Sequence, residues 1–197
     1  VGAGRNKVWL PLAGRPVAAW SLKWLAETGL FDRFVVVVAA AELAESQELL
    51  APHFDLPVTW VIGGNSRHGS ETNALEALAP QIENGELSLV LIHDAARPLA
   101  LPPLIAEVVA AAEQHGGSLP GVVADDLLGP PTRGELVKVQ TPQAFAARPL
   151  LSAYRAAAAE GFEGTDTSAS VERFAPELKI AVVRSSAANL KITYPED

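Results

Sequence analysis

Leu87-Ser88-Leu89-Val90-Leu91-Ile92 runs directly into His93-Asp94-Ala95-Ala96-Arg97-Pro98. The apolar run reads as a buried parallel strand. The hexapeptide places an acid and an arginine where that strand ends. In open α/β sheets, ligands bind just beyond the carboxyl ends of the strands. An Asp there can hold a metal, and an Arg can anchor the loop or meet a phosphate. An Asp–Arg pair that only ties the loop is an equally good reading of these six residues.

Working outward, the pattern alternates. Residues 34–40 and 58–62 are β-branched, strand-like runs; 118–124, 180–183 and the short 190–193 read the same way. Helical spacing covers 15–30, 42–50, 70–78, 102–114 and the Ala-rich 144–160, with Ser70 as a plausible N-cap. Strands alternating with helices predict a mostly parallel sheet flanked by helices, in a single domain over 1–197. Such sheets usually carry a phosphate loop after their first strand, and here that strand would precede Val1. Both ends of the sequence read as cut: it has no Met, and it starts Val1-Gly2-Ala3-Gly4 like the inside of a loop.

Composition narrows the function. The 197 residues are 49% hydrophobic and 19% charged, enough for a full α/β core. The net charge of −8 argues against nucleic-acid binding, which needs a basic face. It leaves room for a small anionic substrate, because a few converging Lys and Arg make a local positive site. The absence of Cys excludes thiolate metal sites and Cys nucleophiles. No apolar stretch approaches a membrane span and no signal peptide is visible, so the expected location is cytoplasmic.

Several polar stretches are candidates for chemistry. Gly63-Gly64-Asn65-Ser66-Arg67-His68-Gly69-Ser70 follows a strand and opens a helix, where glycines admit a ligand and the helix N-terminus favours anions. An ordinary strand–helix turn has the same residues. Gln140–Phe145 and Gly164–Thr167 are polar loops that, taken alone, capping explains better than binding. Lys191 between Leu190 and Ile192, and Lys7 ahead of Leu10-Pro11-Leu12, are either solvated lysines or charges aimed at a phosphate.

Taken in order, these motifs resemble the 2-C-methyl-D-erythritol 4-phosphate cytidylyltransferase family. The matching pieces are Lys7 with Leu10-Pro11-Leu12, Gly63-Gly64 with Arg67 and Ser70, the hexapeptide 93–98, Arg133, Gln140–Phe145, Thr165-Asp166 and Asn189–Thr193. The resemblance implies a Rossmann-like nucleotidyltransferase domain that joins CTP to methylerythritol 4-phosphate and releases pyrophosphate. It implies Mg²⁺ as cofactor and a homodimer with shared active sites. It assigns Lys7 to charge on the transition-state phosphate and Lys191 to orienting the attacking phosphate. Asp94 lies beside substrate hydroxyls or the metal. Gly64, Asn65 and Ser70 surround cytosine and ribose. Ala95 and Arg97 belong to the same loop as Asp94, and Thr141 and Thr165 match further site threonines. Arg133 binds the sugar phosphate from the neighbouring subunit.

The sequence departs from that family in three places. The Gly-rich triphosphate loop expected upstream of Lys7 is absent, and Gly2-Ala3-Gly4 does not replace it. Asn6 stands where Pro is usual. The stretch between Asp125 and Arg133 is shorter than the family's dimerisation arm, and it opens Asp125-Asp126 instead of Asp-Thr. An extra carboxylate there would repel a phosphate. Two other readings stay open on sequence alone: a cytidylyltransferase for another alditol phosphate such as ribitol 5-phosphate, and a non-catalytic nucleotide-binding relative.

Overall fold

The computed structural model describes residues 6–124, 137–194 and 196–197. The dimerisation arm expected near 125–133, with Arg133, lies outside the described residues. A 3-10 turn at Lys7–Trp9 leads into a hairpin of β1 (Pro11–Leu12) and β2 (Arg15–Pro16). Helix α1 (Val17–Glu27) starts directly after Pro16, whose φ of −56° suits a helix entry. Its Val17, Ala18, Ala19 and Leu22 are buried. Strand β3 (Phe34–Val38) carries four consecutive valines, and it pairs in parallel with β4 (Val58–Ile62) across α2 (Leu43–Leu50). Trp9, Ala18, Leu22, Phe34, Val38 and Leu50 close this half into one core, with Ala95 packed against it.

Helix α3 (Arg67–Glu83) connects β4 to β5 (Leu89–Ile92). Helix α4 (Pro102–His115) then ends on left-handed Gly116, the first residue of β6 (Gly116–Val123). Beyond β7 (Val137–Val139) come β8 (Gln143–Ala146), α5 (Ala147–Glu160), α6 (Thr167–Phe174) and β9 (Lys179–Arg184). Strand β9 pairs with β6 in parallel along one edge. Strands β7 and β8 pair antiparallel with β6, and β8 bridges to β5. The result is a mixed α/β fold flanked by helices, and its two longest ladders, β3–β4 and β6–β9, are parallel. A second core joins Leu75 and Ile82 of α3 to Phe145, Leu150, Tyr154 and Val171. A trench of about 590 Å³ separates β3 from β5. Its walls are mostly apolar, and Arg67, Ser70 and Asp94 sit at its polar end.

Several expectations are corrected here. The run ending at Ile92 is a strand, but its described ladder is antiparallel, to β8. Residues 144–146 are strand and not helix. Ala144 and Phe145 are 0% exposed between β5 and β6, and that burial overrides the helical preference of Ala-rich sequence. Helix α3 begins three residues earlier than expected, with Ser66 and not Ser70 as its N-cap. It continues through Pro80 to Glu83. Residues 190–193 form no strand; the Ile192 N–H donates to the Ala96 carbonyl instead.

That last contact is one of many on the loop after β5. The Trp24 indole N–H donates to Pro98 O at 2.8 Å, and the Ser21 hydroxyl lies 3.3 Å from both Ala95 O and Arg97 O. The Arg97 N–H donates to Asp94 O at 2.9 Å. The His93 ring spans the loop: Nε2 is 3.3 Å from Arg97 O, and Nδ1 is 3.2 Å from the Thr141 hydroxyl. That hydroxyl also accepts the Asp94 N–H at 3.0 Å. A neutral imidazole with its proton on Nε2 satisfies every one of these contacts. Desolvation pushes the His93 pKa down from 6.5 to about 4, against the opposing pull of Asp94. Below the unfolded value the unfolded chain therefore takes up a proton that the folded loop refuses. The stability contributed by neutral His93 is complete above pH 6.5 and is lost as the pH falls toward 4. Thermal melts from pH 7.5 to 4.5 should show a steeper decline in Tm for the wild type than for His93→Gln; parallel declines would contradict the assignment.

Candidate active site

Strand β4 delivers the chain to Gly63-Gly64, and the backbone turns back tightly onto the start of α3. A Cβ on Gly64 would lie 2.8 Å from the Gly69 carbonyl carbon, so only glycine fits this approach. Ser70 holds the loop: its hydroxyl accepts the Gly64 N–H at 3.1 Å and donates to Ser66 O at 2.8 Å. Ser66 caps the helix by accepting the Gly69 N–H at 3.0 Å. Gly64 and Asn65 are left exposed beside the N-terminus of a 17-residue helix. That is a concave, donor-rich edge suited to an anion or a polar ring.

Facing it, Asp94 gathers cations. Its Oδ2 lies 2.9 Å from Lys191 Nζ and its Oδ1 lies 3.6 Å from an Arg67 guanidinium nitrogen. Arg97 Nε stands off at 4.0 Å. Desolvation works to raise the Asp94 pKa, but the Lys191 hydrogen bond and the charges of Arg67 and Lys191 outweigh it. The carboxyl is held below its ordinary range, so it is ionised at neutral pH. The Lys191 side chain is 41% exposed, so it is not sealed behind Asp94.

Arg97 serves the loop first. One guanidinium nitrogen donates to Asn189 O at 2.7 Å. The side-chain amide of Asn189 donates to Gln140 Oε1 and to Thr141 O, both at 3.0 Å. These bonds bring Arg97, Thr141 and the segment carrying Lys191 against Asp94. Thr141, 3% exposed, spends its hydroxyl on His93 and Asp94. Ala95 packs on the Trp9 core, next to the turn that begins with Lys7. Lys7 also sits in the field of Asp197, whose carboxyl is held down by the N–H groups of Tyr194 and Thr193 with a smaller pull from Lys7. Lys7 thus flanks the tail that follows Lys191.

Thr165 is exposed and precedes Asp166, the N-cap of α6. Glu163 accepts from the Ser66 hydroxyl at 3.2 Å, joining this loop to the Gly63–Ser70 loop. The structure thus brings together Gly64, Asn65 and Ser70 on one side and Asp94, Ala95, Arg97, Thr141 and Lys191 on the other, with Lys7 and Thr165 at the margins. Arg133 lies outside the described residues. Sequence reading missed Glu71, which binds Arg67 Nε at 2.8 Å and accepts from the hydroxyls of Tyr154 and Thr167. The only sequence signal for it was the i, i+4 spacing from Arg67.

The arrangement holds an ionised carboxylate, exposed lysine charge and a helix N-terminus around one opening. It suits positioning and charge neutralisation on a polyanion better than covalent catalysis.

Comparison with known proteins agrees with this chemistry. The family model described as IspD, 2-C-methyl-D-erythritol 4-phosphate cytidylyltransferase, matches residues 1–197. A protein of that name from Cereibacter sphaeroides is 38% identical over 205 residues, covering 100% of this chain and 87% of the relative. One from Caldanaerobacter subterraneus subsp. tengcongensis is 36% identical over 204 residues, covering 98% of this chain and 87% of its own. Among solved structures, the 4-diphosphocytidyl-2C-methyl-D-erythritol synthase of Anaerococcus prevotii superposes with a TM-score of 0.83 at 26% identity, over 96% of this chain and 88% of that one. The cytidylyltransferase of Thermus thermophilus gives a TM-score of 0.74 at 28% identity, over 96% and 89%. With the family model matched over the whole chain, and relatives of that name 36–38% identical, the chain belongs to the 2-C-methyl-D-erythritol 4-phosphate cytidylyltransferase family.

Proposed function

We propose that this protein transfers the cytidylyl group of CTP to the 4-phosphate of 2-C-methyl-D-erythritol and releases pyrophosphate, a step in isoprenoid precursor synthesis. The observation that carries the proposal is the Lys191 ammonium, on a half-exposed side chain, paired with ionised Asp94 at the strand end facing the Gly64–Ser70 loop. A phosphate oxygen of the sugar alcohol attacks the α-phosphorus of CTP. The bond from the α-phosphorus to the bridging oxygen breaks, and that oxygen leaves with the β- and γ-phosphates. The attacking phosphate is already a nucleophile, so the protein's task is to bring two anions together. Lys191 orients the attacking phosphate by moving from Asp94 toward it. Lys7 supplies positive charge to the α-phosphate as charge builds there. Gly64, Asn65 and Ser70 receive cytosine and ribose, and Asp94 with Ala95 and Arg97 forms the facing wall. Thr141 keeps that wall in place, and Thr165 edges the sugar-phosphate side.

Mg²⁺ fits as a companion of the triphosphate. Among the described residues no group of three or more His, Cys, Asp or Glu could hold a metal by itself. Magnesium is commonly bound through one or two carboxylates plus substrate phosphates, and Asp94 is an ionised, partly exposed carboxylate at the right edge. Bound there, the ion would neutralise charge on the triphosphate. We further assign Arg133 to the sugar phosphate across a homodimer interface. A cytoplasmic location is compatible with the described residues, in which no helix is long and apolar enough to cross a membrane.

Pyrophosphate release with CTP and Mg²⁺, run in parallel with methylerythritol 4-phosphate and ribitol 5-phosphate, tests the assignment. Release with the first substrate alone is expected; preference for the second would transfer the CTP chemistry to a different alditol phosphate. Lys191→Ala should lower kcat by about 100-fold or more with only a small fall in Tm, because it removes no core packing and Arg67 still faces Asp94. Unchanged kcat would remove Lys191 from the mechanism. Arg133→Ala should raise KM for the sugar phosphate more than KM for CTP, and the opposite pattern would contradict its placement.

A further inference from the structure

Glu71 and Arg67 stand outside the roles assigned so far. Both lie in the first turns of α3, at the polar end of the trench. An ordinary i, i+4 pair on a helix keeps its carboxylate in solvent and contributes little. This one differs. The Glu71 side chain is 10% exposed, against 37% for Arg67. One carboxylate oxygen takes the Arg67 Nε at 2.8 Å, and the other accepts from the hydroxyls of Tyr154 and Thr167, the latter at 3.2 Å. Tyr154 is 1% exposed and stacks on His68 at 4.6 Å between ring centroids, so its hydroxyl is a fixed donor. Desolvation and then the Glu71 charge push its pKa well above the ordinary range, so it stays protonated. Thr167 is the first residue of α6, just beyond the Thr165 loop.

The guanidinium held this way reaches Asp94 Oδ1 at 3.6 Å, while Lys191 occupies Oδ2. The two cations therefore share one carboxylate. Lys191 must leave Asp94 to reach a phosphate. If it were the only counter-charge, its departure would strand a desolvated carboxylate, which is costly. Arg67 keeps a positive charge at Asp94 throughout. A long Arg side chain would otherwise sample many rotamers, and Glu71 fixes it in the one that points at Asp94.

We infer that Glu71 and Arg67 are positioning residues for cytidylyl transfer: Glu71, clamped by Tyr154 and Thr167, aims Arg67 at Asp94, and Arg67 frees Lys191 for the phosphate. The inference rests on the transfer reaction proposed above. It predicts an effect on turnover and not on ground-state binding, because both residues act through Asp94 and Lys191.

The test is steady-state pyrophosphate release by wild type, Glu71→Gln, Arg67→Gln and the double variant, with Tm measured for each. Glu71→Gln keeps the shape and the hydrogen-bonding capacity toward Tyr154 and Thr167 but loses the charge that holds Arg67. Arg67→Gln alters a partly exposed side chain, so it stays informative if Glu71→Gln unfolds. Each single variant should lower kcat by about 10-fold to 100-fold with both KM values unchanged. The double variant should be no slower than the slower single, because both act along one path. Losses that multiply in the double variant, or an unaffected kcat in Glu71→Gln, would overturn the inference. So would an Arg67→Gln variant that raises KM for CTP at unchanged kcat, since Arg67 would then hold the nucleotide itself. A wild type that releases no pyrophosphate would overturn the reaction as well, and that outcome is distinct from an active wild type with indifferent variants.

Discussion

The ion pair between Asp94 and Lys191 is the constraint on which the site depends. It forms at the end of β5, where the chain leaves the sheet, and it joins two segments that are 97 positions apart in sequence. Burial alone would favour a neutral carboxyl. Cations on both oxygens keep it charged. The same pair leaves the lysine side chain partly exposed, at 41%. A phosphate entering the opening competes with one carboxylate for one lysine. In the proposed transfer, Arg67 eases that exchange as a second partner for the acid, 3.6 Å from its other oxygen.

Much of the surrounding structure serves to fix this pair. The loop 93–98 is bound by Trp24 and Ser21 of α1 and by Thr141 ahead of β8. Lys191 has no strand to hold it. Its position comes from the Ile192 amide on Ala96 O and from Asn189, which spans Gln140 and Thr141. Arg97 ties the two segments together through Asn189 O. A site made of loops gains the precision usually found on regular elements by being hydrogen-bonded at nearly every residue.

The sequence made part of this legible. Four consecutive valines identified β3, the run ending at Ile92 marked β5, and the hexapeptide after it located the acid. Lys7, Lys191 and the Gly63–Ser70 loop each had a plain structural reading by residue type, and only their order along the chain, similar to the family's, singled them out. What was not legible depended on distant contacts. Residues 144–146 look helical by composition, and they become a strand because β5 and β6 flank them. Ser70 reads as the cap of α3, but Ser66 caps it, and the Ser70 hydroxyl instead ties Gly64 N–H to Ser66 O. Glu71 carried no signal beyond its i, i+4 spacing from Arg67. Its role follows from Tyr154 and Thr167, which lie 83 and 96 residues away.

A crystal structure with CTP bound would test the account most directly. The account predicts cytosine and ribose against Gly64–Ser70, with Lys191 Nζ displaced from Asp94 onto the phosphates and Arg67 still paired with Asp94. A nucleotide bound away from that loop, with the Asp94–Lys191 pair intact, would contradict it.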